Sequence, residues 1–186
     1  MAERRFRRPG PTPRARVALA GNPNVGKSSL CNQLTGGHQH VANWPGKTVE
    51  RHVGVCHLGG VDIEVVDLPG TYSLAGTSPE ELVAAEALTD PDLDAVVVVL
   101  DSTNLERNLY LATQVAELGR PMVVVLNLTD AAARDGFLLD DRALATALGA
   151  PVVRTVARTG VGLDDLRSVL AGLVGTGLGT RGEVPA

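Results

Sequence analysis

The chain has 186 residues, of which 44% are hydrophobic and 20% charged, and its net charge is −4. That length suits one domain and the balance excludes wholesale disorder, while no apolar run nears the roughly 18–20 residues of a membrane-spanning helix. Two cysteines exclude a disulfide framework and fit a reducing, cytoplasmic compartment, and an aromatic content of 3% argues against a base-stacking nucleic-acid binder. Residues 1–16 come first, with six arginines against one glutamate and breaks at Pro9, Pro11 and Pro13. They read as a disordered basic leader with no signal peptide's apolar segment. The alternative is an arm for nucleic acid or anionic lipid.

A short apolar strand over 17–20 ends at Gly21, and a helix is expected from Lys27 to about Leu34. Residues 36–50 are polar and punctuated, and read as a mobile loop. Strands over 52–58 and 61–66 flank Gly59-Gly60, a two-residue hairpin turn, so they are expected to be antiparallel neighbours. Ser78-Pro79-Glu80-Glu81 opens a helix, with Ser78 as N-cap, Pro79 in the first turn and Glu81 closing a capping box. Residues 95–100 are wholly apolar and β-branched, as a strand buried on both faces requires. A helix over 104–118, a strand over 122–126, short helices over 130–134 and 140–148, a strand over 151–154 and a helix over 163–173 follow. The alternation predicts an α/β fold of three layers, a mostly parallel six-stranded sheet with one antiparallel strand and helices on both faces. The domain is expected over 17–174, and the glycine-rich 175–186 reads as a flexible tail or a linker.

Three motifs carry chemistry. Gly21-Asn22-Pro23-Asn24-Val25-Gly26-Lys27-Ser28 matches G-x-x-x-x-G-K-[ST]. Gly21 and Gly26 let the backbone curl so that N–H groups converge on phosphate oxygens, and the helix that follows offers its positive end. Lys27 supplies a point charge for the β- and γ-phosphates, and the Ser28 hydroxyl suits Mg²⁺. Asn22, Asn24, Val25, Gly26 and Ser29 complete the candidate phosphate-binding set. A chance glycine turn is disfavoured, because the motif follows a strand and opens a helix. Asp67-Leu68-Pro69-Gly70 places an acid where Mg²⁺ is held through water and a glycine N–H where a γ-phosphate lies. Alone that pattern is a common turn, and its position gives it weight. Asn127-Leu128-Thr129-Asp130 ends a buried strand. A carboxylate at Asp130 pairs with the N1–H and N2–H of guanine, whereas adenine would leave a buried acid without donors. The competing reading of Asn127 is a helix cap. Thr155-Val156-Ala157-Arg158 follows the last strand and offers a backbone N–H to guanine O6. The expected ligands are GTP or GDP with Mg²⁺.

This order of motifs resembles the P-loop GTPases of the translation-factor class. Gln39-His40-Val41-Ala42-Asn43-Trp44-Pro45-Gly46-Lys47-Thr48-Val49-Glu50 resembles the first switch of bacterial ferrous iron transport protein B. Asp67-Leu68-Pro69-Gly70-Thr71-Tyr72-Ser73-Leu74, followed by Ser78-Pro79-Glu80-Glu81, resembles its second switch, and the likeness runs from about Val17 to Leu173. The resemblance implies a GTPase domain that precedes a helical regulatory domain and a polytopic iron permease, at the inner face of the cytoplasmic membrane. The chain is then a fragment or a stand-alone relative. It also implies that Lys27, Thr48, Asp67 and Gly70 serve hydrolysis, with Thr48 on Mg²⁺ and sensing the γ-phosphate. Asn24 and backbone carbonyls of residues 42–44 would hold K⁺, and copies would assemble through the switch regions. Thr71 stands where signalling GTPases carry a water-positioning glutamine, and no arginine finger is evident. A potassium ion would supply the missing positive charge. Val156 departs from the family's serine, and Leu128 from the lysine that flanks the base in many GTPases.

Some residues stay open between two readings. Trp44 is a switch marker or a partly buried loop anchor. Glu80 and Glu81 relay the nucleotide state or cap a helix. His38 and His40 read as solvated loop histidines, and Cys31 and Cys56 as small buried hydrophobes. The leading function is GTP hydrolysis coupled to ferrous iron uptake. The alternative is a ribosome-assembly GTPase of the same class, and no nucleic-acid partner is expected on the leading reading.

Overall fold

The structure, a computed structural model, describes residues 15–180, with side chains through Gly175. In chain order the elements are β1 (Ala15–Gly21), α1 (Lys27–Thr35), β2 (Gln39–Asn43), β3 (Glu50–Leu58), β4 (Val61–Asp67), α2 (Pro79–Thr89), β5 (Ala95–Asp101), α3 (Leu105–Glu117), β6 (Met122–Asn127), α4 (Thr129–Arg134), α5 (Asp141–Leu148), β7 (Val152–Arg154) and α6 (Leu163–Thr180). Seven strands form one sheet in the order β2-β3-β4-β1-β5-β6-β7. β1 pairs in parallel with β4 and β5, and β6 in parallel with β5 and β7. β3 runs antiparallel to both β2 and β4, so it is the reversed strand the hairpin signal announced.

Side-chain alternation along the buried strands separates two cores. On one face Val17, Leu19, Val97 and Val99 pack with Leu30 and Leu34 of α1 and Leu166 and Leu170 of α6. On the other, Ala18, Val96, Val98 and Val124 pack with Leu88 of α2, Leu111 and Val115 of α3 and Leu148 of α5. Both faces of β5 and β6 are covered, which is why those segments carry no polar alternation. The connections leave β1 toward both edges of the sheet. The carboxyl ends of β1, β4 and β6 therefore open onto one crevice, where open α/β sheets bind ligands.

Four details differ from the sequence expectation. The sheet has seven strands rather than six, because residues read as a loop form β2. β2 is an edge strand with no buried residue, held by backbone pairing to β3, so it needs no apolar period. The last helix runs to Thr180 instead of ending at Leu173. Leu166, Leu170 and Val174 are buried at helical spacing, and this stripe outweighs the roughly 0.5–1 kcal/mol that each interior glycine costs. Arg16, counted with the basic leader, belongs to β1. Its Nε donates to Glu64 Oε1 at 2.8 Å and its Nη1 to Asp90 Oδ2 at 3.3 Å. The rest of the leader, 1–14, and the end of the tail, 181–186, lie outside the described residues. Lastly, the Glu81 N–H donates to Ser78 Oγ at 3.2 Å as a cap requires. Its carboxylate instead accepts from the Thr77 N–H at 2.8 Å and from Ser73 Oγ at 2.7 Å. The box closes one residue early and ties down the loop ahead of α2.

Candidate functional site

Five residues join β1 to α1, and their path is dictated by close approach. A Cβ on Gly26, whose φ is +91°, would collide with Asn127 Nδ2. One on Gly21 would collide with the Val99 carbonyl oxygen. Asn24 sits at φ +65°, a left-handed position that asparagine tolerates. Lys27 is 7% exposed, and its Nζ donates to the Asn22 carbonyl at 3.0 Å. Burial lowers its pKa, against the opposing charge of Asp67. The loop is also tied to α3, through Asn22 Nδ2 on the Arg107 carbonyl at 3.2 Å.

The end of β4 faces this loop. Ser28 Oγ donates to Asp67 Oδ2 at 2.7 Å, whereas Asp67 Oδ1 is buried with no partner. Burial pushes the Asp67 carboxyl up, opposed by the Ser28 bond and by Lys27 and His52. A Cβ on Gly70 would lie 2.8 Å from Pro23 Cα and 3.2 Å from Lys27 Nζ. Only a glycine lets the second switch cross so close. Lys27, Ser28, Glu50, His52, Asp67 and Gly70 line a cavity of about 270 Å³. Glu50 and His52 were not singled out in the sequence. The signal for His52 was present, since a two-residue turn at Gly59-Gly60 sets a register that puts His52 opposite Asp67.

At the other end, Asn127 is 1% exposed and hydrogen-bonded through both polar atoms of its side chain. Its Nδ2 donates to the Val25 carbonyl at 2.8 Å. Its Oδ1 accepts from the Ala157 N–H at 2.9 Å and from Thr155 Oγ1 at 3.1 Å. One side chain thus binds the phosphate loop, the end of β6 and the loop after β7 to each other. Asp130 opens α4 half-exposed, with Arg134 Nη2 at 4.0 Å. The N–H groups of Thr155, Val156 and Ala157 are committed to Leu126, Val161 and Asn127. That leaves the Arg158 N–H as the donor of this loop without a partner among the described residues.

Of the first switch only its end, Val49 and Glu50, lines the site. Thr48 is exposed and absent from the lining of the phosphate cavity, and residues 42 and 43 belong to β2. The second switch is in place. The Thr71 N–H donates to the Gly21 carbonyl at 3.3 Å, the Leu74 N–H to Gln114 Oε1 at 2.9 Å, and Tyr72 lies under the Arg107 guanidinium at 4.3 Å. Hydrogen bonds from Thr77 and Ser73 hold the Glu81 carboxyl below its usual range.

A profile of the family "Ferrous iron transport protein B" matches residues 15–170. The chain belongs to the ferrous iron transport protein B family. Among curated relatives, the "Fe(2+) transport protein A/Fe(2+) transporter FeoB fusion protein" of Porphyromonas gingivalis is 49% identical over 158 residues, which is 83% of this chain and 18% of the relative. The chain spans about a fifth of the length of the curated relatives it matches. Among solved structures, the G domain of the T. maritima FeoB iron transporter superposes with a TM-score of 0.79 at 43% identity, over 86% of this chain and 98% of that one. The cytosolic domain of the same transporter in its GMPPNP form gives 0.82 at 44% identity, over 85% and 63%. The chain is thus a G domain of the P-loop GTPase fold, a nucleotide-binding fold. Among the described residues no helix is long and apolar enough to cross a membrane.

Proposed function

We propose that this chain binds GTP, hydrolyses it to GDP and phosphate, and acts as the nucleotide-responsive part of a ferrous iron transporter. Its partner is a membrane permease portion, which would hold it at the inner face of the cytoplasmic membrane. The observation that carries the reading is the convergence of Lys27, Ser28, Asp67 and Gly70 on one cleft, with Asn127 fastening the base end to the same loop. Backbone N–H groups of the loop from Asn22 to Ser29 cradle the β-phosphate, and Lys27 neutralises charge toward the γ-phosphate. The Gly70 N–H orients the terminal phosphoryl group, and Asp130 selects guanine. Thr48 joins when its loop swings in.

Magnesium suits the donor set, because the buried Asp67 Oδ1 lacks a partner and the Ser28 hydroxyl stands beside the same carboxylate. Ser28, Thr48 and, through water, Asp67 would hold it. When bound it would offset the charge that develops on the β- and γ-oxygens. The raised Asp67 pKa has the same origin as this fit, a carboxylate whose burial outweighs the Ser28 hydrogen bond and the charges of Lys27 and His52. For potassium the loop offers the exposed Asn24 carboxamide, while residues 42–44 would have to leave the β2–β3 hairpin to add carbonyls.

Thr71 is buried, 4% exposed, and too short to place a water as glutamine does, so intrinsic turnover is expected to be slow. GTP turnover with Mg²⁺ is expected to be several-fold faster in KCl than in NaCl, and Asn24→Ala should remove the difference. Equal rates in the two salts would refute the potassium reading. Absence of any turnover with GTP bound would refute hydrolysis.

A further inference from the structure

The loop that carries Thr48 borders the phosphate cavity only through Val49 and Glu50, while Lys47 and Trp44 fasten its other side to α2 and the core beneath it. Residues 44–49 close a tight turn, with the Trp44 N–H on the Val49 carbonyl at 2.9 Å and the Lys47 N–H on the Trp44 carbonyl at 3.0 Å. Two side chains of this turn reach across the gap. Lys47 Nζ donates to Glu86 Oε1 on α2 at 2.8 Å. Trp44 packs against the buried cluster that includes Val66, Leu68 and Leu88, and the Arg51 guanidinium lies 5.0 Å from its ring centroid.

The seat is imperfect in two ways. A cavity of about 540 Å³, lined in part by Trp44, Lys47, Leu68, Glu86 and Ala87, leaves the contact incompletely filled. Trp44 Nε1 and Arg51 Nε are both buried without an acceptor. A buried donor with no acceptor favours any arrangement that returns it to water. The Lys47–Glu86 pair opposes that release only weakly, since Glu86 is 66% exposed. Several modest contacts hold the docked loop, and the unsatisfied indole N–H on the loop and guanidinium N–H beside it oppose the docking.

We infer that Trp44, Lys47 and Glu86 are positioning residues that keep Thr48 out of the phosphate cleft until a γ-phosphate draws the loop away. The inference rests on the nucleotide reading above. It gives α2 a double role. Its first turn holds the second-switch loop through Glu81, and Glu86 further along holds the first. One helix thereby holds both loops that respond to the terminal phosphate.

Trp44 is the chain's sole tryptophan, so intrinsic fluorescence reads this contact without a label. With GDP the emission is expected to match that of the nucleotide-free protein. A non-hydrolysable GTP analogue should shift it to the red as the indole reaches water. Glu86→Ala should shift the nucleotide-free emission the same way. It should also raise affinity for the analogue about threefold relative to GDP, the scale of an exposed ion pair. The charge swap Lys47→Glu with Glu86→Lys should restore the wild-type spectrum and affinity ratio, which loss of stability would not do. Calorimetric titration on the same samples separates the two layers of the argument. If the analogue binds and Trp44 emission does not move, or if Glu86→Ala changes both affinities equally, the docking inference is overturned while the nucleotide reading stands. If neither nucleotide binds, the nucleotide reading falls and takes the inference with it.

Discussion

Between β1 and α1, the groups that shape the loop have partners inside the protein: Lys27 on Asn22, Val25 on Asn127, Ser28 on Asp67. Between β2 and β3, Thr48 is exposed, the Trp44 indole N–H has no acceptor, and the ion pair to α2 lies at the surface. The first loop is built before any ligand arrives, so the free energy of binding there is not spent on ordering it. The second is tied to α2, and on the proposed reading it moves. A site that retains a nucleoside diphosphate and responds to one further phosphate needs both kinds of loop.

The largest expected effect comes from breaking the fixed loop. Lys27→Ala should weaken GDP binding by about 100-fold or more in calorimetric titration, the scale of losing charge-assisted bonds to phosphate. It should leave the thermal stability of the nucleotide-free protein unchanged or raised, because burial already disfavours this cation. A matching fall in both quantities would mean that the lysine is structural and the loop is not preorganised by its backbone.

A smaller effect sharpens the same contrast from the opposite side. Asp67 has a native pKa above its unfolded value of 3.8, so its ionisation works against folding. That destabilisation is absent below the unfolded pKa and grows as pH rises through the native one. Asp67→Asn should therefore stabilise the nucleotide-free protein at pH 7 by about 1 kcal/mol, or roughly 2–4 °C in melting temperature. The gain should vanish as pH falls toward 4, while Mg²⁺-dependent nucleotide affinity drops at pH 7. A destabilised Asp67→Asn protein at pH 7 would show that Oδ1 has a partner the account omits.

The sequence announced the fixed region far better than the movable one. The strands β5 and β6 are apolar on every residue up to their last, and glycine spacing around Lys27 reports a loop whose Cβ atoms would collide. Both are local signals. Asn127 was legible as a motif but not as a fastener, because its partners Val25 and Ala157 lie 102 and 30 residues away. β2 was missed because an exposed edge strand buries nothing, and α6 was cut short because glycines were weighted above the Leu166, Leu170, Val174 stripe. Trp44 was left between marker and anchor. Its docking depends on Lys47 meeting Glu86, 39 residues on, which no local pattern encodes. The His52–Asp67 pairing was deducible from the hairpin turn alone.

The account's central claim is a guanine-nucleotide site assembled by Lys27, Asp67, Asn127 and Asp130. Calorimetric titration of GDP and ADP, with Mg²⁺ present, tests it most directly in wild type and in Asp130→Ala. The account predicts that wild type binds GDP at least about 100-fold more tightly than ADP, and that Asp130→Ala closes most of that gap by weakening GDP alone. Equal affinities of the wild-type protein for the two nucleotides would contradict it.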